Sequence, residues 1–509
     1  MEFLAAMMPA QIMEHGPAIV VVIPLLMAAV ATVMPNGKAG WTIALVTTVA
    51  SALVAIAVAV NVQSVGVISY AMGGWEPPAG IEFRIDDLNA VLLLLIAFTG
   101  VLSVIYALPS VADEIAENRQ ALFYAAFLVC FAGLIGVAIT GDAFNMFVFL
   151  EISSISTYIL VGMGASGDRR ALTAAYNYLI LGTIGATFFV IGVGFLYMAT
   201  GTLNMFDMAG RIPELSDSRV IQAAFAFIIV GLGLKAAMFP LHIWLPNAYA
   251  FAPNFVTTFL AATATKVAFY TLVRFAFDVF WPEAPFVQIS FLWVFAILGI
   301  IGMLVASIQA VFQHDARRLL AFSSVAQVGY MMLGLGIGTL AGVSAGMLHL
   351  VNHAMMKGAL FMALGAFAIR FGVRRIDDLN GFARTMPFTA IAFTIAGLSL
   401  VGVPMTVGFW SKWYLGVAAF ENGWWWAVAA LIISSLIALA YVARMLAAIW
   451  VAKPHHDRTG AIASSRAPLM MLVPMWVLAI ANVWFFFEPE FLVGLANAAA
   501  EAALAGASR

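Results

Sequence analysis

Charge is what this chain is shortest of. Asp, Glu, Lys and Arg make up 9% of its 509 residues and apolar residues 64%, against about 25% and roughly 45–50% in soluble globular domains. With a mean hydropathy of +1.03, the apolar surface needs lipid as its solvent. That excludes a cytoplasmic enzyme, a disordered chain and a secreted disulfide scaffold. Cysteine is nearly absent as well. The single Cys130 excludes an internal disulfide, a CxxC redox pair and a cysteine-ligated iron–sulfur cluster. There is no P-loop, no Rossmann glycine motif and no metal-ligand cluster, so no cofactor or metal is expected. A net charge of −2 without a basic tail gives nucleic acid nothing to bind. Glu2 and Glu14 stand where a signal peptide would be basic, so no cleaved leader is expected.

What is present is a series of apolar runs long enough to cross a bilayer. They fall at 17–35, 41–61, 86–108, 120–140, 143–163, 172–200, 220–239, 254–280, 288–312, 319–338, 341–369, 386–406, 425–451 and 469–487. The expectation is an all-α polytopic membrane protein of about fourteen helices, because a lipid-exposed segment must satisfy its own backbone amides. The apolar stretch 407–421 reads as the second half of a broken span 12. Loop 64–85 is the longest irregular piece, and no segment could hold a soluble domain.

Basic residues set the expected orientation. Loops after odd-numbered spans carry thirteen: Lys38, Arg119, Arg169, Arg170, Arg317, Arg318, Arg370, Arg374, Arg375, Arg384, Lys453, Arg458 and Arg466. The opposite side carries Arg84, Arg211, Arg219 and Arg509. The odd-numbered loops are therefore expected in the cytoplasm and both termini outside. The acidic loop 109–119 is an exception.

Span 7 ends in a proline interruption, Lys235-Ala-Ala-Met-Phe-Pro240 followed by Pro246, and span 12 is interrupted at Pro404, before Lys412. The breaks are five spans apart. A five-helix repeat is inverted relative to its copy, and paired broken helices in inverted repeats point to a transport site near the midplane. Prolines that merely kink a membrane helix are the plainer alternative.

Of six lysines, only Lys38 and Lys453 sit in loops; Lys235, Lys266, Lys357 and Lys412 lie in spans or at their breaks. An ammonium at the bilayer centre costs roughly 2.5–3.5 kcal/mol on insertion scales. Four such costs imply function, although Lys412 lies near enough to a span end to snorkel. The acid that stands out within a span is Glu151. A lone buried carboxylate takes up a proton, whereas one beside a lysine keeps its charge. Lys235 is the partner to expect, either in a structural ion pair or in one that opens and closes. In span 11, His349, His353 and Lys357 are spaced i, i+4, i+8 and form one polar stripe, suited to relaying protons because imidazole both donates and accepts. His242, after the break in span 7, and Lys357 are secondary candidates. His15, His314, His455 and His456 read as loop residues.

The run Gly231-Leu-Gly-Leu-Lys235-Ala-Ala-Met-Phe-Pro240-Leu-His242-Ile-Trp244-Leu-Pro246 resembles the antiporter-like membrane subunits shared by respiratory complex I and Mrp-type cation/proton antiporters. Gly141-Asp-Ala-Phe-Asn-Met-Phe-Val-Phe-Leu-Glu151, Asp315-Ala-Arg-Arg-Leu-Leu-Ala-Phe-Ser-Ser324 and His349-Leu-Val-Asn-His353-Ala-Met-Met-Lys357 carry it further, from about 85 to 450. The stretch from Thr265 to Phe275 is most similar to the D-type subunit of the Mrp antiporters. The resemblance implies three N-terminal helices (17–108), two inverted five-helix repeats (120–280 and 288–451) and a last helix (469–487) in one membrane domain. It implies that Glu151, Lys235, Lys266, His349, His353 and Lys412 form a proton-conducting axis. It also implies other subunits of a hetero-oligomeric complex as partners, protons and Na+ as cargo, and a bacterial inner membrane as the location. Asn247 departs from the family, many members of which carry an acid there. Three functions compete: a cation/proton antiporter subunit, the proton-pumping membrane arm of a redox complex, and a scaffold whose charges only pin helices. Four intramembrane lysines argue against the third.

Overall fold

Twelve helices among the described residues are long and apolar enough to cross a membrane. They are seen in a computed structural model that describes residues 10–215, 217–280, 285–453 and 466–505. His455, His456, Arg458, Arg509 and Glu2 lie outside the described residues. The chain is an all-α, multi-pass membrane protein. The twelve helices coincide with every expected span except 7 and 12, which are shorter because each is built from two pieces.

Span 7 runs as Arg219–Lys235 (7a) and Trp244–Phe251 (7b). Helix 7a ends with Met238 N–H donating to the Gly233 carbonyl (2.9 Å) and Ala237 N–H to that of Leu234 (3.1 Å). This closure requires a left-handed residue, usually glycine; here Ala237 takes it, at φ 56°. Pro246 falls in the first turn of 7b, where its missing N–H costs nothing. Span 12 runs as Pro387–Val401 (12a) and Val407–Glu421 (12b). Helix 12a closes in the same way on Gly402, at φ 89°, with Val403 N–H reaching the Leu398 carbonyl at 3.1 Å.

Elsewhere small residues let helices approach closely. A Cβ on Gly231 of 7a would stand 2.5 Å from the Gly185 carbonyl oxygen of span 6 (Arg170–Thr200). Several boundaries differ from the sequence reading. Span 3 (Asp87–Glu114) continues past Pro109, so most of the acidic loop 109–119 is helical. Span 2 (Gly37–Val65) takes Lys38 into its first turn, and His15 lies in span 1 (Ala10–Thr32). Loop 64–85 is not wholly irregular: Ile68–Ala71 pairs antiparallel with Glu82–Ile85. A further helix, Glu490–Ala505, follows span 14 (Leu469–Phe487), lays Ala496, Ala499, Ala500 and Ala503 inward, and packs on spans 3 and 11.

Candidate functional site

Asp142 caps span 5 (Ala143–Gly162) by accepting from Asn145 N–H at 2.7 Å. Glu151 follows nine residues on, about 13 Å along the axis, near the middle of a hydrocarbon core of about 30 Å. Lys235 reaches the same depth as the last residue of 7a. Its Nζ lies 3.0 Å from Glu151 Oε1 and 2.6 Å from Ser154 Oγ. The expected pair is therefore formed. Lys235 is buried, but 21% of the Glu151 side chain is exposed, on the helix face between the exposed Val148 and Ile155. The Tyr178 ring stacks on Trp244 of 7b at 4.0 Å and meets Tyr158 edge-on at 4.8 Å. That wall holds the break against span 6.

The remaining candidates continue the polar line inside the protein. Lys266, on span 8 (Asn254–Val273), is fully buried and donates to its own helix's Ala261 carbonyl; no ion pair includes it among the described residues. Span 11 (Leu340–Phe371) buries His349, His353 and Lys357 completely. Among the described residues, neither His353 ring nitrogen has a hydrogen-bond partner. Its ring lies parallel to that of His349, 6.2 Å away, and Lys357 follows one turn further along the same helix. His349 is fixed on both sides, Nδ1 at 2.9 Å from Ser411 Oγ and Nε2 at 2.9 Å from Gln327 Oε1. Ser411 directly precedes Lys412.

Lys412 does not snorkel. It is buried on 12b and points back into the break, donating to the carbonyls of Leu400 (3.0 Å) and Val401 (2.9 Å) and to Ser435 Oγ (3.2 Å). Its ammonium also sits 4.6 Å over the Tyr330 ring. The last carbonyls of a helix have no intrahelical partner and carry its negative dipole end, so a lysine there is both hydrogen-bonded and electrostatically favoured. His242, in the linker between 7a and 7b, stands apart. Its ring stacks on Phe239 at 5.3 Å, and among the described residues no hydrogen bond joins it to the line.

Glu151 is not the sole acid in a spanning helix. Arg274 extends span 8 in a wider helical turn, Arg274–Val279. Its guanidinium grips Asp86 at 2.7 and 2.9 Å and also pairs with Asp278. The i, i+4 spacing of Arg274 and Asp278 was the available signal. Gln327, Ser411 and Tyr330 gave none, because their role depends on which helices face each other. Among the described residues no group of three or more His, Cys, Asp or Glu is placed to hold a metal ion.

Residues 140–438 match the family described as NADH:quinone oxidoreductase/Mrp antiporter, transmembrane. The chain belongs to this family. Every axis candidate, from Glu151 to Lys412, lies inside the matched region of the NADH:quinone oxidoreductase/Mrp antiporter family. Among curated relatives, the chain is 41% identical over 486 residues to the N subunit of NADH-quinone oxidoreductase from Desulforudis audaxviator, covering 92% of this chain and 95% of that one. It is 31% identical to the D subunit of the Na(+)/H(+) antiporter from Alkalihalophilus pseudofirmus, covering 87% and 88%. Its fold superposes on a chain of the Mrp complex from Dietzia sp. DQ12-45-1b with a TM-score of 0.86 at 26% identity, covering 96% and 97%.

Proposed function

We propose that the chain is an ion-translocating, non-enzymatic subunit of a multisubunit Mrp-type antiporter in the bacterial inner membrane, exchanging protons for a monovalent cation, Na+ by the antiporter relatives. The observation that carries this is the Glu151–Lys235 pair, 3.0 Å apart at the break of span 7. While the pair is closed, the carboxylate compensates the buried ammonium and Lys235 keeps its proton. When Glu151 moves away, the ammonium is left uncompensated in an apolar site and gives the proton up toward Lys266 and the histidine stripe. His353, whose imidazole both accepts and donates, lies next on the stripe to pass it on, and the line ends at Lys412. Spans 4–8 and 9–13 act as two inverted halves around it, with the odd-numbered loops cytoplasmic and both termini outside.

The exposed part of Glu151 argues for partners. A carboxylate is not left facing lipid at mid-depth, so another membrane subunit covers this side of spans 5 and 6. The second reading is a proton-pumping membrane-arm subunit of a redox complex, favoured by the 41% identity to an oxidoreductase N subunit. Purification of the intact complex decides between them. Co-purifying cation/proton antiporter subunits and Na+-dependent proton exchange in everted vesicles are expected; iron–sulfur or flavin subunits would establish the second reading instead.

A further inference from the structure

The face that carries loops 163–169 and 372–386 opens into a vestibule of about 1210 Å³. Its wall carries three cationic side chains, Lys38, Arg317 and Arg374, against five carboxylates, of which Asp168 is paired with Arg374. Glu114, the last residue of span 3, lines it half-buried beside the buried Asn254. The Glu114 carboxylate accepts from Asn254 N–H (2.9 and 3.1 Å), from Asn254 Nδ2 (2.9 Å) and from Ser110 Oγ (3.0 Å). All of these donors are neutral. The charged group that faces it is Arg317 of span 10 (Ala316–Ile337), which stops one residue short and donates instead to Asn254 Oδ1 and the Ala252 carbonyl. A half-buried carboxylate held by neutral donors at the vestibule wall takes and releases a proton without breaking an ion pair.

Two walls lead inward from this cluster toward the same buried lysine, and the span 10 wall reaches it. On span 3, Ser110 and Tyr106 follow Glu114 at i−4 and i−8, both fully buried, and the Tyr106 hydroxyl donates to the Met362 carbonyl of span 11 at 3.1 Å. Lys357 lies five residues from Met362, about 7.5 Å deeper along that helix. On span 10, Arg317 is one to two turns above Leu320 and Ser323. Lys357 Nζ donates to both, to the Leu320 carbonyl at 2.8 Å. Lys357 is the first group of the stripe that continues to His353 and His349.

We propose that Glu114 is the proton port between this vestibule and the buried axis. The carboxylate takes a proton from water. The proton passes inward between the walls that carry Ser110 and Tyr106 on one side and Ser323 on the other, and Lys357 takes it up as it gives its own proton on to His353. Asn254 and Arg317 are positioning residues that hold the carboxylate at the vestibule wall. The proposal rests on the reading of the chain as proton-translocating.

The test uses everted membrane vesicles carrying the whole complex, in which a cytoplasmic face meets the medium. Initial rates of proton exchange are followed as the medium pH is varied. Glu114→Gln is expected to slow exchange by about a hundredfold, the low end for a lost proton-transfer group, and to flatten its dependence on medium pH. Glu114→Asp is expected to fall between, and Tyr106→Phe to slow exchange without changing assembly. An assembled Glu114→Gln complex with the wild-type rate and pH profile overturns the port. If Glu114→Gln does not assemble, Glu114→Asp and Ser110→Ala decide: an altered profile supports the port and wild-type profiles overturn it. Absence of exchange by the wild-type complex would refute the translocation reading itself, a result distinct from any of these.

Discussion

Lys412 Nζ lies 3.0 Å from the Leu400 carbonyl oxygen, so the cation of helix 12b serves as cap for helix 12a. Twelve residues separate the two in sequence, across a break in which Gly402 and Met405 both adopt positive φ on either side of Pro404. Substitution at 412 therefore has two separable effects. Lys412→Ala leaves the Leu400 and Val401 carbonyls without that donor, which costs on the order of 1–3 kcal/mol for buried groups, read as a lower melting temperature of the detergent-purified complex. The same variant is expected to abolish or sharply reduce ion exchange in everted vesicles while still assembling. Normal exchange would leave Lys412 as a cap and nothing more.

The pair at the other end of the line is tested by charge and by its absence. Glu151→Ala and Lys235→Ala should each stop exchange, and Glu151→Asp should keep part of it because the charge survives at shorter reach. Single losses also leave a buried charge uncompensated, a penalty of roughly 3–5 kcal/mol. The double variant Glu151→Gln with Lys235→Met removes that penalty. It is expected to assemble normally and remain inactive; measurable exchange would show that neither charge carries the proton.

Orientation gives a prediction independent of activity. Reporter tags placed after Arg170, Arg318 and Lys453 should all report the cytoplasm, and one in the 64–85 segment the outside, following the basic-residue asymmetry. Disagreement among the first three tags would overturn the span assignment.

At the vestibule rim, Asp168 ties the two halves of the chain, bonded to Arg170 (2.7 Å) and to Arg374. The hydrogen bonds from Arg170, with Arg374 adding to them, hold its carboxyl below the ordinary value of 3.8. A depressed carboxylate contributes stability that is fully present above its unfolded value and is lost as pH falls through the folded one. Between about pH 6 and 8 the tie is constant, so thermal stability should show no contribution from Asp168 to any pH trend there. Both arginines are half or more exposed, so Asp168→Asn should cost under about 1 kcal/mol. A pH-dependent difference in melting temperature between Asp168→Asn and wild type over that range would contradict the assignment.

The sequence by itself determined the solvent, the spans and most of the buried charges. Lipid leaves no room for an uncompensated ion, so Glu151, Lys235, Lys266 and Lys412 stand out against apolar neighbours with no structure needed. The period of the α-helix likewise puts His349, His353 and Lys357 on one stripe. Pro240, Pro246 and Pro404 marked both breaks. Polar residues near span ends gave no such contrast. Glu114 looks like a loop acid until span 3 is seen to continue through it, whereas Arg274 and Asp278 sit at the end of an expected span and only the fold shows that they pair with each other and with Asp86. What only the tertiary structure decided was which groups meet. Glu151 and Lys235 are 84 residues apart and Asp86 and Arg274 are 188 apart. Asn254 joins Glu114 and Arg317 across three helices. Helical periodicity fixes neighbours within one segment, whereas contacts between segments depend on close approaches such as Gly231 against Gly185 and on breaks that turn a lysine back onto orphaned carbonyls.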